Sequence, residues 1–237
     1  RVTAVVARDD SVVRVIAYAR LSLFGPGAAR LHDEILAVAG PWPAGRAAAA
    51  EDSGSSTGPG SIPAPEPIAI APYRDSATAA QTIARAEALL AGSGQPPNAR
   101  LAGRIAARGP ALFAALWPAV EAEADARAVA ANNGLRQRAD RESDELRALL
   151  EQQKRAIERA AGRLRQGELF ATQDSDTADL AAQKRQVRLD LDHMDRRRQR
   201  LDDELLSEPA AIAELYEVRM TRLAPIGLVV TWPEALT

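Results

Sequence analysis

Two stretches decide the fold: LRALLEQQKRAIERAAGRL (146–164) and LAAQKRQVRLDLDHMDRRRQRLDDELL (180–206). In the first, Leu146, Leu150, Gln153, Ile157, Ala160 and Leu164 recur in steps of four and three. In the second, Leu180, Lys184, Val187, Leu191, Met194, Arg198, Leu201 and Leu205 do the same. Such alternation averages 3.5 residues, the repeat that keeps one apolar stripe facing a partner helix in a left-handed supercoil. Arg165 to Thr177 lacks the repeat and carries Gly167 and the run Asp174, Ser175, Asp176, which predicts a turn with Asp176 or Thr177 capping the second helix. A short connection between long helices makes them antiparallel neighbours. The expectation is an antiparallel coiled-coil hairpin over 135–206, its second arm about 45 Å long at ~1.5 Å per residue.

The flanks read differently. Val2 to Ala7 and Val12 to Phe24 are rich in Val and Ile around the polar turn Arg8–Ser11, which predicts a β-hairpin. Gly25, Pro26 and Gly27 end the second strand. Leu31, Ile35 and Val38 then suggest a helix over Ala28–Ala39, stopped by Gly40. Strand, glycine turn and helix is the setting of a phosphate-binding loop. The third glycine near Arg30 and the sequence Gly-Lys-Ser or Gly-Lys-Thr are both missing, so the plain turn is the reading.

The segment 41–74 holds six prolines between Pro41 and Pro67 and reads as a linker or surface loop, with an edge strand conceivable at Pro67–Ala71. Helical patterning fills 75–134. Ile83, Ala86, Leu89 and Leu90 form one stripe, breaks are expected at Gly92–Pro97 and at Gly109–Pro110, and Pro118 should kink its helix or start a new one. Leu112, Phe113, Leu116, Trp117 and Val120 make a dense apolar face. At Asn132–Gly134 a break and a continuous helix are equally compatible with the residues. In 207–237, Ser207 and Pro209 open a short helix to about Arg219, and Ile226 to Trp232 is a final strand. A lone strand cannot satisfy its own backbone, so this one is expected to join the amino-terminal hairpin. The fold class is therefore α+β and mostly helical: a long antiparallel coiled-coil hairpin projecting from a small sheet-plus-helix platform (1–40 and 207–237) formed by both chain ends.

The chemistry of sites is thin. The 237 residues contain no cysteine, which excludes disulfides, thiolate metal sites and thiol nucleophiles. Thirty basic and 32 acidic side chains nearly balance, which argues against a generic polyanion binder but leaves room for a local basic patch. His32 and His193 are the only histidines, and Asp33, Glu34, Asp190 and Asp192 are the nearest carboxylates. No ligand spacing converges, so no metal site is named. Trp117, Trp232 and Tyr216 read as core anchors.

The strongest polar feature is Arg196, Arg197, Arg198 and Arg200, with Lys184, Arg185 and Arg188 nearby. Arg185, Arg188, Arg196, Arg197 and Arg200 are candidate contacts to a nucleic-acid backbone. The plainer reading, which helical spacing favours, is a solvated face paired with Asp192, Asp195, Asp202 and Asp203. Aromatic interleaving for base stacking is missing. A first residue other than Met suggests a piece of a longer chain, and without a long uncharged apolar run a cytoplasmic location with no membrane partner is the default.

The tail carries Glu208-Pro209, Ile212, Tyr216-Glu217-Val218-Arg219, Arg222-Leu223, Pro225, Gly227-Leu228-Val229 and Trp232-Pro233. Together with Leu23–His32 and Glu145–Gln153, these resemble the carboxy-terminal region of bacterial Snf-type superfamily-two helicases of DISARM anti-phage systems, the DrmD-like proteins. The resemblance implies a post-motor region of an ATP-driven DNA translocase. Its partners would be the amino-terminal helicase motor of the same parent chain, DNA and other defence-system subunits. ATP and Mg would belong to the parent, because the phosphate loop, the acidic box and the arginine finger have no counterpart here. This chain alone is expected to hold no cofactor and to lack ATPase activity. The alternative is a structural coiled-coil scaffold or protein-interaction module with no nucleic-acid role.

Overall fold

A computed structural model describes residues 1–8, 10–43, 68–170 and 178–237. In order they form β1 (Val2–Ala7), β2 (Arg14–Phe24), β3 (Arg30–Pro41), α1 (Ser76–Ala88), α2 (Ala99–Phe170), α3 (Ala178–Leu215) and β4 (Met220–Pro233). The chain divides into two compact units. One comprises Arg1–Leu23, His32–Ala130 and Met220–Thr237, the other Phe24–Leu31 and Ala131–Arg219.

The first unit is organised around a four-stranded sheet in the order β1-β4-β2-β3. As expected, the final strand joins the amino-terminal strands, but it lies between them, so β1 and β2 are not the hairpin the sequence suggests. β4 pairs parallel with β1 in the register Val2↔Leu228 to Ala7↔Pro233. The physical reason lies in burial: Leu228 to Pro233 is buried throughout, as befits a strand with parallel pairing that has helices on both faces and neighbours on both edges. β4 also starts at Met220, earlier than Ile226, and carries Pro225 within it.

The second correction concerns 28–39, which from Arg30 onward is strand β3 and not a helix. Its spacing of Leu31, Ile35 and Val38 suits a helix, yet Ile35 is 65% exposed. Val38 instead packs on one apolar cluster and its neighbours Ala37 and Ala39 on the other, and Leu36 is buried at 3% exposure. With no helix after Gly25–Gly27, the setting of a phosphate-binding loop disappears. The link is a turn with Gly27 and Ala28 at φ of 60° and 59°, closed by Gly25 N–H donating to Ala29 O at 2.8 Å. A parallel crossover needs a dozen or more residues, so β2 and β3, adjacent and joined by this turn, run antiparallel.

α2 covers one sheet face. Leu101, Ile105, Leu112, Leu116 and Val120 pack on Val15, Ala17, Ala19, Leu228, Val230 and Trp232. α1 covers the other, with Ile83 and Ala86 against Ile16, Tyr18, Ala39 and Val229. Asp75 caps α1 by accepting from Ala77 N–H and Thr78 N–H at 3.3 and 2.9 Å. The break expected at Gly92–Pro97 is present: Gly92 has φ of 146°, and Gln95 exchanges two backbone hydrogen bonds with Val6.

No break occurs at Gly109–Pro110 and no new helix starts at Pro118, because α2 runs unbroken through both prolines and through Asn132–Gly134. Each proline costs about 3 kcal/mol in a helix interior. Five buried large side chains at about 1.5–3 kcal/mol each outweigh that. Gly109 is a close approach and not a stop: a Cβ there would run into Val2 Cγ2. In the linker, 44–67 lies outside the described residues. No strand forms over 68–71, and Ile70 turns into the core instead.

The second unit contains the two long helices, α2 from Ala131 onward and α3, packed against each other. Helix α2 continues to Phe170, past the expected turn start at Arg165. The remainder, 171–177, and with it the proposed caps Asp176 and Thr177, lie outside the described residues. Nor does a new helix begin at Ser207. α3 is continuous to Leu215 with Pro209 inside it, and Ser207 Oγ donates to Asp203 O at 3.0 Å, a bond back into the same helix. Phe24 O accepts from Arg219 N–H at 2.8 Å, and the Arg30 guanidinium lies 5.9 Å from the centre of the Phe24 ring.

Candidate interaction surface of the helical hairpin

The seam is set by apolar side chains and locked by polar ones. Leu201 is completely buried, and Ala139, Ser143, Leu150 and Ala161 are buried opposite it on α2. Val187, Leu191, Met194 and Leu205 are half-buried, which is what two helices without a third can achieve. Ser143 Oγ donates to Pro209 O at 3.0 Å, and Tyr216 Oη donates to Glu142 at 2.8 Å. The carbonyl of Pro209 and the hydroxyl of Ser143 thus satisfy each other inside the seam. The Glu142 carboxylate holds the Tyr216 phenol above its ordinary pKa, first through that hydrogen bond.

Ion pairs flank the apolar stripe. Lys154 meets Asp202 at 2.5 Å and Arg165 meets Asp195 at 3.3 Å, both across the seam. Arg197 reaches Gln153 across the seam at 3.2 Å and Glu204 in its own helix at 2.6 Å. The Arg197 hydrogen bond pulls the Glu204 carboxyl below its ordinary pKa and lifts that of Arg197. Four sequence assignments are corrected here. Gln153, Lys184 and Arg198, read as seam positions, are exposed. Arg197, read as an outward candidate contact, is half-buried and committed to the hairpin itself. Lys154 and Arg165 were not singled out from the sequence, because their partners follow from the register between helices and not from spacing within one.

Three of the remaining candidates share one face. At about 3.6 residues per turn, Arg185, Arg196 and Arg200 fall opposite Val187, Leu191, Met194, Leu201 and Leu205, while Arg188 flanks the seam at the position that Asp195 and Asp202 repeat one and two heptads on. Arg185 donates to Ala181 O at 3.2 Å. Arg188, Arg196 and Arg200 form no hydrogen bond or ion pair among the described residues. Of the four aspartates expected to neutralise them, Asp195 and Asp202 point to the other arm, leaving Asp192 and Asp203 on the same face as Arg185, Arg196 and Arg200. Leu189 is 60% exposed in the midst of them.

Elsewhere the candidate residues serve structure. His32 Nε2 lies 3.3 Å from Glu34 Oε2, and among the described residues no cluster of His, Asp and Glu could hold a metal. Trp232 is 7% exposed and edge-on to Trp42 at 5.4 Å, while Trp117 packs on Phe113 and donates to Glu121 at 2.8 Å. No described helix is long and apolar enough to cross a membrane. The chain matches no family model, no curated protein sequence and no solved structure.

Proposed function

We propose that this chain is the non-catalytic, post-motor region of a cytoplasmic Snf-type ATP-dependent DNA translocase of a DISARM-like defence system. Its helical hairpin couples the motor to the phosphate backbone of DNA. The observation that carries the proposal is the exposed surface of α3, where Arg188, Arg196 and Arg200 form no hydrogen bond or ion pair within 4 Å among the described residues while the seam takes Asp195 and Asp202. The parent's identity rests on the resemblance of the tail residues Glu208 to Pro233. In this reading ATP and Mg act in the amino-terminal motor, and this chain supplies position and grip.

The test is the salt dependence of DNA binding by the parent translocase. Replacing Arg188, Arg196 and Arg200 with Gln should leave helicity unchanged and lower the slope of log K against log salt by about 2–3, at ~0.9 per lost contact. An unchanged slope removes the DNA-backbone role. The exposed leucines Leu149, Leu189 and Leu206 favour a second reading, a protein-docking scaffold. In that case partner association should fall on changing Leu189 and Leu206 to Ser, with the salt slope untouched.

A further inference from the structure

The first unit holds a second positive surface that the hairpin does not use. Between Glu87 and Glu121 the chain contains no carboxylate, and its charges there are Arg100, Arg104 and Arg108. These occupy every fourth position in the opening turns of α2, so they climb one side of the helix in steps of about 6 Å. The side chains around them are minimal: Ala99, Gly103, Ala106 and Ala107 are exposed, and nothing lies within 4 Å of where a Gly103 Cβ would be. A bulky partner can therefore come down to the helix surface itself.

None of the three guanidiniums has an ion pair among the described residues. Arg104 is held across the Trp232 indole, 5.7 Å from its centre, and Glu234, two residues beyond that tryptophan, faces Arg8 at 3.8 Å. Nor does the location favour cations for stability. The start of a helix carries about half a positive charge, which disfavours a neighbouring arginine and rewards Asp or Glu. Helix α2 has no acidic residue in its first turn, whereas the cap, Asn98 accepting from Leu101 N–H at 2.8 Å, is in place. A row of like charges with no carboxylate partner among the described residues, the first of them in the unfavourable field of the helix start, fits an external polyanion of regular charge spacing.

We propose that Arg100, Arg104 and Arg108 form a binding surface for the phosphate backbone of a nucleic acid, separate from the hairpin arm. Guanidinium forks take phosphate oxygens bidentately and need no base contact, so the surface is indifferent to sequence. The absence of exposed aromatic side chains along the row points to a duplex over a stacked single strand. The inference does not rest on the translocase reading and stands or falls with this chain alone.

Fluorescence anisotropy of the full chain with a labelled duplex, a labelled single strand and vesicles of 30% phosphatidylserine tests it. The wild type should bind duplex with an affinity that falls about 40-fold between 50 and 200 mM salt for these three contacts alone. Arg100→Gln/Arg104→Gln/Arg108→Gln should lower the slope by ~2.7, and the corresponding triple Lys variant should retain it. If the Gln variant is less stable, Arg100→Gln by itself, at an exposed position, should still remove about 0.9 from the slope. Arm variants at Arg188, Arg196 and Arg200 measured alongside separate the two surfaces: if only they move the slope, the α2 surface is refuted while the hairpin proposal survives. Failure of the wild type to bind either nucleic acid at low salt overturns the inference. Arginine-dependent binding to the vesicles but not to the duplex also overturns it, in favour of a membrane surface.

Discussion

Changing Leu201 to Ala should destabilise the hairpin far more than the same change at Leu206, five residues on in the same helix. Leu201 is wholly buried in a seam where most apolar neighbours on α3 are only half-covered. Cutting its isobutyl group to a methyl removes buried carbon and leaves a void that two helices, pinned by Lys154–Asp202 next door, cannot fully close. Such changes cost about 3–5 kcal/mol at fully buried leucines, and about 3 is expected here because the seam can partly collapse. Leu206 is 80% exposed, so its truncation should stay within about 0.5 kcal/mol. Helical circular dichroism during thermal melting reads the difference. A loss of about 3 kcal/mol lowers the midpoint by roughly 6–12 °C if the chain melts as one, and by at least about 12 °C if the hairpin melts alone. Two variants whose midpoints agree would refute the seam, since chemistry is identical at the two sites and only burial differs.

Gly109→Ala should destabilise by about 1–3 kcal/mol through contact with Val2, and adding Val2→Ala should restore most of it. Gly103→Ala, facing open space, should instead stabilise by roughly 0.5–1 kcal/mol, and equal shifts for the two glycines would disprove the close approach. Truncation after Pro225 removes Leu228, Val229, Val230 and Trp232 from an interior strand, roughly 6–12 kcal/mol of burial, so the first unit should not fold; a cooperative near-ultraviolet melt from the truncated chain would contradict the strand order. The Asp75 carboxyl is held below its ordinary pKa, first by the Thr78 hydroxyl and then by the N–H groups of Thr78 and Ala77. Because the folded value is the lower one, its contribution is present above the ordinary carboxylate range and is lost as pH falls through the folded value. Protection of the Thr78 amide, its exchange taken relative to the intrinsic rate at each pH, should therefore fall in acid in the wild type but not in Asp75→Asn, which caps without titrating; identical protection profiles would refute the cap.

Within each element the residues themselves were decisive. The 3.5-residue repeat determined two long helices, the β-rich runs determined β1, β2 and β4, and Asp75 and Asn98 determined where helices start, because each signal acts between residues a few positions apart. Among the arginines, the outward direction of Arg185, Arg196 and Arg200 followed from helical spacing alone. What depended on partners far along the chain was decided by the tertiary structure. The stretch 28–39 is a strand because a neighbouring strand, β2, offers it hydrogen bonds, and its helix-like spacing carries no information about that neighbour. Pro110, Pro118 and Pro209 sit inside helices because packed faces outweigh the local cost, a comparison no local pattern contains. Arg197 was lost as an outward contact, and Lys154 and Arg165 were missed, for one reason: a salt bridge across the seam depends on the register between two helices, and register is set by how whole side-chain rows interlock, not by either row's own sequence.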